Sequence, residues 1–288
     1  MQIIITGVLL GGTYALIALG LTLQYGVSRI MNLANGETLV AACFVTFWLY
    51  TGFNVNPLVG LFLIGPAAFF VNWYIYTLLL LPLVNRAKNR GMLEVDSILA
   101  TFGLLFLFQG LMLLAFGGSY FNYQFLAQPF TILGGSFGLN RVVAFGAAAL
   151  IATALYVFLY RTEQGTAVRA VAVNPRSARL VAIDVRKISA FAFALGGTLT
   201  ACAGTLLSTF YTFNTSMGII FTMKALIIVI MGGVGDVRGA VIAALVLGIT
   251  ETLVASFLDP GLTIAANYAL FVLVLLFRPQ GLFGKRPA

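Results

Sequence analysis

Six long apolar stretches dominate the sequence, at residues 3–25, 57–83, 97–116, 142–160, 188–211 and 262–277. An α-helix needs about 20 apolar residues to cross the ~30 Å hydrocarbon layer of a bilayer. These stretches therefore read as membrane spans, the last being shorter but adequate. Residues 240–258 form another long stretch. Two further stretches are only 13 residues each: 38–50 follows the polar run Asn32-Leu33-Ala34-Asn35-Gly36-Glu37, and 219–231 runs into Gly232-Gly233-Val234-Gly235-Asp236-Val237-Arg238-Gly239. The expectation is an all-α integral membrane protein of about nine segments (8–10), two of them short or broken, in a single transmembrane domain over residues 1–288. No alternating strand pattern competes, and a barrel interior would need many more polar residues. The start, Met1-Gln2-Ile3-Ile4-Ile5, lacks a basic region and reads as a retained span rather than a cleaved signal peptide.

Only 8% of the 288 residues are charged and 61% are hydrophobic, against about 25% and about 45–50% in a soluble domain. That excludes a cytosolic enzyme, a secreted disulfide scaffold and a disordered chain. There is no histidine, which removes His-based metal sites, Ser-His-Asp triads and His proton relays. Cys43 and Cys202 both lie in apolar stretches and read as buried free thiols.

The net charge of +8 would suggest nucleic acid in a soluble protein, but basic residues of membrane proteins collect in cytoplasmic loops. The clusters are Arg86, Lys88 and Arg90; Arg161, Arg169, Arg176, Arg179, Arg186 and Lys187; and Arg278, Lys285 and Arg286. Nine spans with the amino terminus outside put all three clusters inside, with Arg29 and Arg238, and leave only Arg141 and Lys224 elsewhere. The carboxy terminus is then cytoplasmic and the uncharged loop 117–140 faces outward. The partner implied is the lipid bilayer, not nucleic acid.

Loop 161–187 is long and basic. Asn174-Pro175 is a helix start, with Asn as cap and Pro at the first helical position. A short helix through Ala182 would place Ala178, Val181 and Ala182 on one face by their spacing, suited to docking in a partner's groove. The alternative is a basic loop lying on anionic headgroups.

Ionisable residues inside spans cost about 2.5–3.5 kcal/mol on insertion scales and mark functional sites. Lys224 and Glu251 are the two here, in consecutive antiparallel segments. From Gly235 they are 11 and 16 residues away, so their depths differ by roughly 7 Å, which a lysine side chain nearly spans. A Lys224–Glu251 pair is one reading; the other is that each snorkels or faces a partner subunit. The two polar breaks lie in opposite halves, a pointer to transporters built from repeated halves, though tight cytoplasmic turns would look the same. Asn32, Asn35 and Glu37 in the first break and Gly232, Gly233 and Asp236 in the second join Lys224 and Glu251 as candidates for the translocation path or gate. Gln109, Asn214 and Asn267 are weaker candidates. No cluster suggests bond-making chemistry, so a membrane enzyme is disfavoured and no catalytic or metal-ligating residue is assigned. A stand-alone channel or secondary transporter remains as a rival class.

Four motifs, in order along essentially the whole chain, carry a resemblance. They are Gly12-Thr13-Tyr14-Ala15-Leu16-Ile17-Ala18-Leu19-Gly20 followed by Tyr25-Gly26; Arg161-Thr162-Glu163-Gln164-Gly165-Thr166-Ala167-Val168-Arg169-Ala170 followed by Asn174 and Ala182-Ile183-Asp184; the run from Gly232 to Ala240; and Arg278-Pro279-Gln280-Gly281-Leu282-Phe283-Gly284. Together they resemble the permeases of branched-chain amino-acid ABC importers, the LivH/LivM-like type. The resemblance implies a type II-like importer permease, a second related permease, two ATPase subunits and an extracytoplasmic solute-binding protein, in a bacterial or archaeal cell membrane (the inner membrane if Gram-negative). It implies coupling to the ATPases through Glu163, Gly165, Arg169, Ala170, Asn174, Pro175, Ala178, Arg179 and Ala182. ATP and Mg would be bound by the partners and no cofactor by this chain, which has no GxxxxGK[ST] loop. The implied cargo is branched-chain or related small amino acids, with urea or a short-chain amide as the alternative. Where the family usually has His in an Asn-x-Ala-His-Gly stretch, this chain has Asn35.

Overall fold

The structure, a computed structural model, describes residues 1–87, 89–132 and 135–283. Lys88, Lys285 and Arg286 of the basic clusters and Gly284 of the last motif lie outside the described residues. The helices are α1 (Gln2–Ser28), α2 (Asn35–Phe53), α3 (Pro57–Ile75), α4 (Leu81–Arg86), α5 (Arg90–Phe116), α6 (Leu139–Arg161), α7 (Glu163–Val173), α8 (Pro175–Leu180), α9 (Val185–Ser208), α10 (Gly218–Gly232), α11 (Val237–Phe257) and α12 (Thr263–Phe277). A π-turn, Tyr76–Leu80, joins α3 and α4 into one rod, with Leu81 N–H bonded to the Tyr76 carbonyl. Pro82 follows directly and has no N–H to continue the i→i−4 ladder.

Among the described residues, eight helices, counting the α3–α4 rod as one, are long and apolar enough to cross a membrane, and α10 is shorter at 15 residues. One expectation is corrected. The segment read as 38–50 is a helix of 19 residues, because Asn35, Gly36 and Glu37 form its first turn rather than a break. The Asn32 side chain accepts from Ala34 N–H at 3.1 Å just ahead of that turn, and a carboxylate is favoured near a helix N-terminus.

Helices α1 and α9 form the centre. They cross where Gly20 and Gly196 face each other's backbone. Helix α1 packs along α11 through Gly7, Gly11 and Gly248, and α9 packs on α3, with Asn72 against Gly197. Leu39 of α2 lies on Gly204 of α9, and Gly36 of α2 meets Gly218 of α10. With no hydrophobic drive between helices in lipid, close backbone approach at small residues is what holds such a bundle. The packing also pairs α1–α2 with α9–α10. By contrast α5 and α12 turn large apolar side chains outward, Leu114 and Leu276 among them.

The connections gather at two ends. At one, Gln2 reaches Ser136, Tyr50 reaches Gln124 and Asn140 reaches Thr209. At the other, Arg29 reaches Ala172 and Arg238 reaches Tyr156. Sequence reading gave no strand, yet β1 (Pro129–Ile132) and β2 (Gly135–Gly138) form an antiparallel hairpin with Phe130 opposite Phe137. The loop is anchored by Phe121, which bridges to Phe213 and packs on Phe44. Tyr123 bonds Ser208 at 2.8 Å, and burial pushes its phenol well above the ordinary range. Cys43 and Cys202 are free and buried, as expected.

Candidate translocation and coupling sites

Lys224 on α10 and Glu251 on α11 meet beside α1. The Lys224 ammonium donates to Glu251 Oε1 at 2.7 Å, to Oε2 at 2.9 Å and to the Tyr14 hydroxyl at 2.7 Å. Those three bonds use its full donor set. Tyr14 donates onward to Glu251 Oε1 at 3.2 Å, and Asn267 Nδ2 donates to Oε2 at 3.3 Å. Lys224 also lies 4.7 Å from the Tyr14 ring centroid. Taking two charges out of water is costly unless partners satisfy them, and here four side chains from α1, α10, α11 and α12 do so. Glu251 borders a cavity of about 280 Å3 with Arg141 and Tyr211, and Lys224 and Asn267 border another of about 310 Å3.

The first break forms a second polar group. Asn32 Nδ2 donates to Gln24 Oε1 at 3.0 Å, and Thr200 Oγ1 donates to Asn35 Oδ1 at 3.0 Å. Thr222 Oγ1 ties the α2 start to α10, accepting from Gly36 N–H at 2.8 Å and donating to the Leu33 carbonyl at 3.1 Å. Glu37 is buried against Gly218, and neither of its carboxylate oxygens nor Asn35 Nδ2 has a partner.

Gly232, Gly233 and Asp236 belong to neither group. They form the α10–α11 turn: Gly233 has φ 105°, and Asp236 caps α11 by accepting from Gly239 N–H at 2.8 Å. The carboxy-terminal motif closes over this turn, with Leu282 N–H on the Met231 carbonyl at 2.8 Å. The structure thus brings Lys224 and Glu251 into one network, in whose hydrogen bonds none of the other path candidates takes part. Of the weaker candidates, Asn267 joins the ion-pair network, while Asn214 caps its own turn through Ser216 N–H. Tyr14, Gln24 and Thr222 were not singled out by sequence. A tyrosine or threonine on an apolar span carries no signal until the helix opposite is known.

In segment 161–187, Glu163 opens α7, which Thr162 caps by accepting from Gly165 N–H at 3.0 Å. Gly165 lies against the backbone of Leu159, so α7 folds back on α6. Arg169 stands 4.6 Å from the Tyr160 ring centroid, and the neighbouring Ala170 is partly buried against the core. Asn174 caps α8 as expected, accepting from Arg176 and Ser177 N–H, with Pro175 at its start. The expected shared face of Ala178, Val181 and Ala182 does not form. Helix α8 stops at Leu180, and Ala182 adopts a left-handed φ of 59°. Bonds from Ile183 N–H to the Ala178 carbonyl and from Ala182 N–H to the Arg179 carbonyl complete a Schellman end. Ala178 is buried against the chain's own core, Arg179 and Ala182 are exposed, and the outward apolar residues are Val173, Leu180 and Val181.

A bundle with this many long apolar helices is a multi-pass membrane protein. Residues 3–278 match the family described as branched-chain amino acid transport system, permease component, and the chain belongs to that family. It is 29% identical to the high-affinity branched-chain amino acid transport system permease protein LivH of Salmonella typhimurium, over 99% of this chain and 96% of that protein. It is 28% identical to the corresponding permease BraD of Pseudomonas aeruginosa over the same shares. A partial likeness, 28% over 50% of this chain and 35% of that protein, links it to the permease LivM of Escherichia coli. No solved structure matches.

Proposed function

We propose that this chain is the permease subunit of an ATP-binding-cassette importer carrying branched-chain or related small amino acids into the cell. Its partners in this reading are a second related permease, two ATPase subunits that bind ATP and Mg, and an extracytoplasmic binding protein. The observation that carries it is the Lys224–Glu251 pair standing between two cavities. A zwitterion can exchange with such a pair, because each of its charges replaces the partner that the other side chain loses.

The proposed topology is a type II-like permease of nine segments in the cytoplasmic membrane, the inner membrane of a Gram-negative cell. The amino terminus is outside and the carboxy terminus inside. In its support, Arg29, Arg169 and Arg238 gather at one end of the bundle with the basic segment 161–187, in keeping with the positive-inside rule. Segment 161–187 then meets the ATPases. Gly165, Arg169 and Ala170 hold α7, Asn174 and Pro175 set α8, and Ala178 anchors it. Val173, Leu180 and Val181 are the docking residues, flanked by Glu163, Arg179 and Ala182. Asn32, Asn35 and Glu37 remain proposed gate residues, and Gly232, Gly233 and Asp236 the turn that lets α10 and α11 move together.

Reconstitution of the co-expressed assembly in proteoliposomes tests this reading. ATP-dependent leucine uptake that requires the binding protein is expected. Solute flux through this chain alone, indifferent to ATP, would overturn it.

A further inference from the structure

The α10–α11 turn presents an apolar tip that the ion pair does not explain. Val234 in the turn is 47% exposed, and Phe283, held on the same turn by the carboxy-terminal segment, is 46% exposed. The turn is built to keep its shape. Gly233 and Gly235 take positive φ values of 105° and 83°, and the Asp236 cap fixes the start of α11. Leu282 and Phe283 N–H donate to the Met231 and Gly232 carbonyls at 2.8 and 3.2 Å, two of the acceptors that a helix end leaves without a partner. Gly281, at φ 80°, fits so closely that a Cβ would come within 2.6 Å of Gly233 N and of the Ile230 carbonyl oxygen.

The same end of the bundle carries segment 161–187. Gly235 lies against Gly26 near the end of α1, where a Cβ on Gly26 would come 3.2 Å from Gly235 Cα. Three residues on, Arg29 donates to the Ala172 carbonyl at 3.3 Å. Ala172 precedes Val173, one of the outward apolar residues of that segment. Val234 and Val173 thus flank one helix end. A headgroup layer needs no fixed shape beneath it, whereas a groove on a protein does.

We infer that Val234 and Phe283 form a second contact with the ATPase subunits, beside the one at Val173, Leu180 and Val181. This rests on the reading of the chain as a permease driven by partner ATPases, and adds where their movement reaches the ion pair. Helix α8 leads into α9, which carries neither charge of the pair. The α10–α11 turn leads directly into the helices of Lys224 and Glu251, so a push on Val234 displaces both together.

Single cysteines on a Cys43→Ala, Cys202→Ala background test the contact. Everted membrane vesicles of the co-expressed assembly are treated with an impermeant maleimide before and after a chaotrope strips the ATPase subunits. Val234→Cys should react several-fold faster after stripping, as should Val173→Cys, and Phe283→Cys repeats the measurement on the carboxy-terminal segment. A change at Val173→Cys alone would overturn the second contact and leave the ATPase reading standing. No change at any of the three would overturn both. No labelling of Val234→Cys in either state would place the turn in the headgroup layer, and the inference would fall. Transmission is measured with Val234→Asp in proteoliposomes, because a charge there is desolvated in the contact without a partner. Uptake and stimulated ATPase activity per reconstituted permease should fall about tenfold or more. Full uptake in Val234→Asp would remove the turn from the path of movement.

Discussion

Gly20 of α1 and Gly196 of α9 face each other so closely that a Cβ on either would strike the other's carbonyl oxygen. The two innermost helices can approach this far only without side chains at the crossing. Gly196→Ala should therefore overpack the centre and cost ~1–3 kcal/mol. Gly103→Ala, with nothing within 4 Å of its added methyl, should stay within about 0.5 kcal/mol. Thermal unfolding of the purified protein checks both, and equal midpoints for the two variants would contradict the crossing.

The ion pair makes a second prediction, about coupling rather than size. Lys224→Met leaves Glu251 charged and buried, and Glu251→Leu leaves Lys224 so; each should cost about 3–5 kcal/mol. The double variant removes both charges and leaves only Tyr14 and Asn267 short of partners, at about 1–3 kcal/mol each. It should be no less stable than either single variant, with an interaction energy of about 2 kcal/mol or more in a double-mutant cycle. Uptake should be lost in all three. Additive stability losses would mean that the two side chains do not share one network.

Much of this was legible in the chain. The apolar stretches marked every long helix, because an uncharged run of that length has few other solutions in water or lipid. The Lys224–Glu251 pair was one of two readings open from their places 11 and 16 residues on either side of Gly235, a difference in depth that a lysine side chain nearly spans. Tyr14 was not readable, since its role depends on which helix lies opposite α1. The first break was misread as ending at residue 37, because Asn35 and Glu37 are polar and yet begin a helix. The face of α8 was misread because spacing assumes a continuing helix, and the turn at Ala182 ends it where glycine or asparagine would be the usual signal. The hairpin at Phe130 and Phe137 was hidden in an uncharged outward loop with no alternating strand pattern to mark it.

Orientation is open to direct chemical test. On a Cys43→Ala, Cys202→Ala background, both native thiols being buried, single cysteines at Tyr120 and Asn174 report opposite ends of the bundle. Both positions are exposed. A membrane-impermeant maleimide added to intact cells should label Tyr120→Cys and reach Asn174→Cys only after permeabilisation. The reverse pattern would invert the topology and with it the positive-inside argument.

The last prediction concerns how ATPase movement enters the bundle. Leu180 and Val181 are 87% and 69% exposed, whereas Ala178 is 3% exposed. Leu180→Asp and Val181→Asp therefore remove little internal contact and should leave folding within about 0.5 kcal/mol. If these residues dock in a groove on the ATPase, each new charge is desolvated there without a partner. Stimulated ATPase activity and uptake should then fall about tenfold or more at normal membrane abundance. Ala178→Asp buries its charge within the permease itself, so its defect should appear first as lost abundance. Arg179→Ala should be mild, since an exposed ion pair contributes only about 0–1 kcal/mol. The three quantities separate the cases when measured on the same membranes. Normal coupling in both Leu180→Asp and Val181→Asp would remove α8 from the ATPase interface. Segment 161–187 would then be better explained as a basic surface lying on anionic lipid, its exposed apolar residues dipping into the headgroup layer.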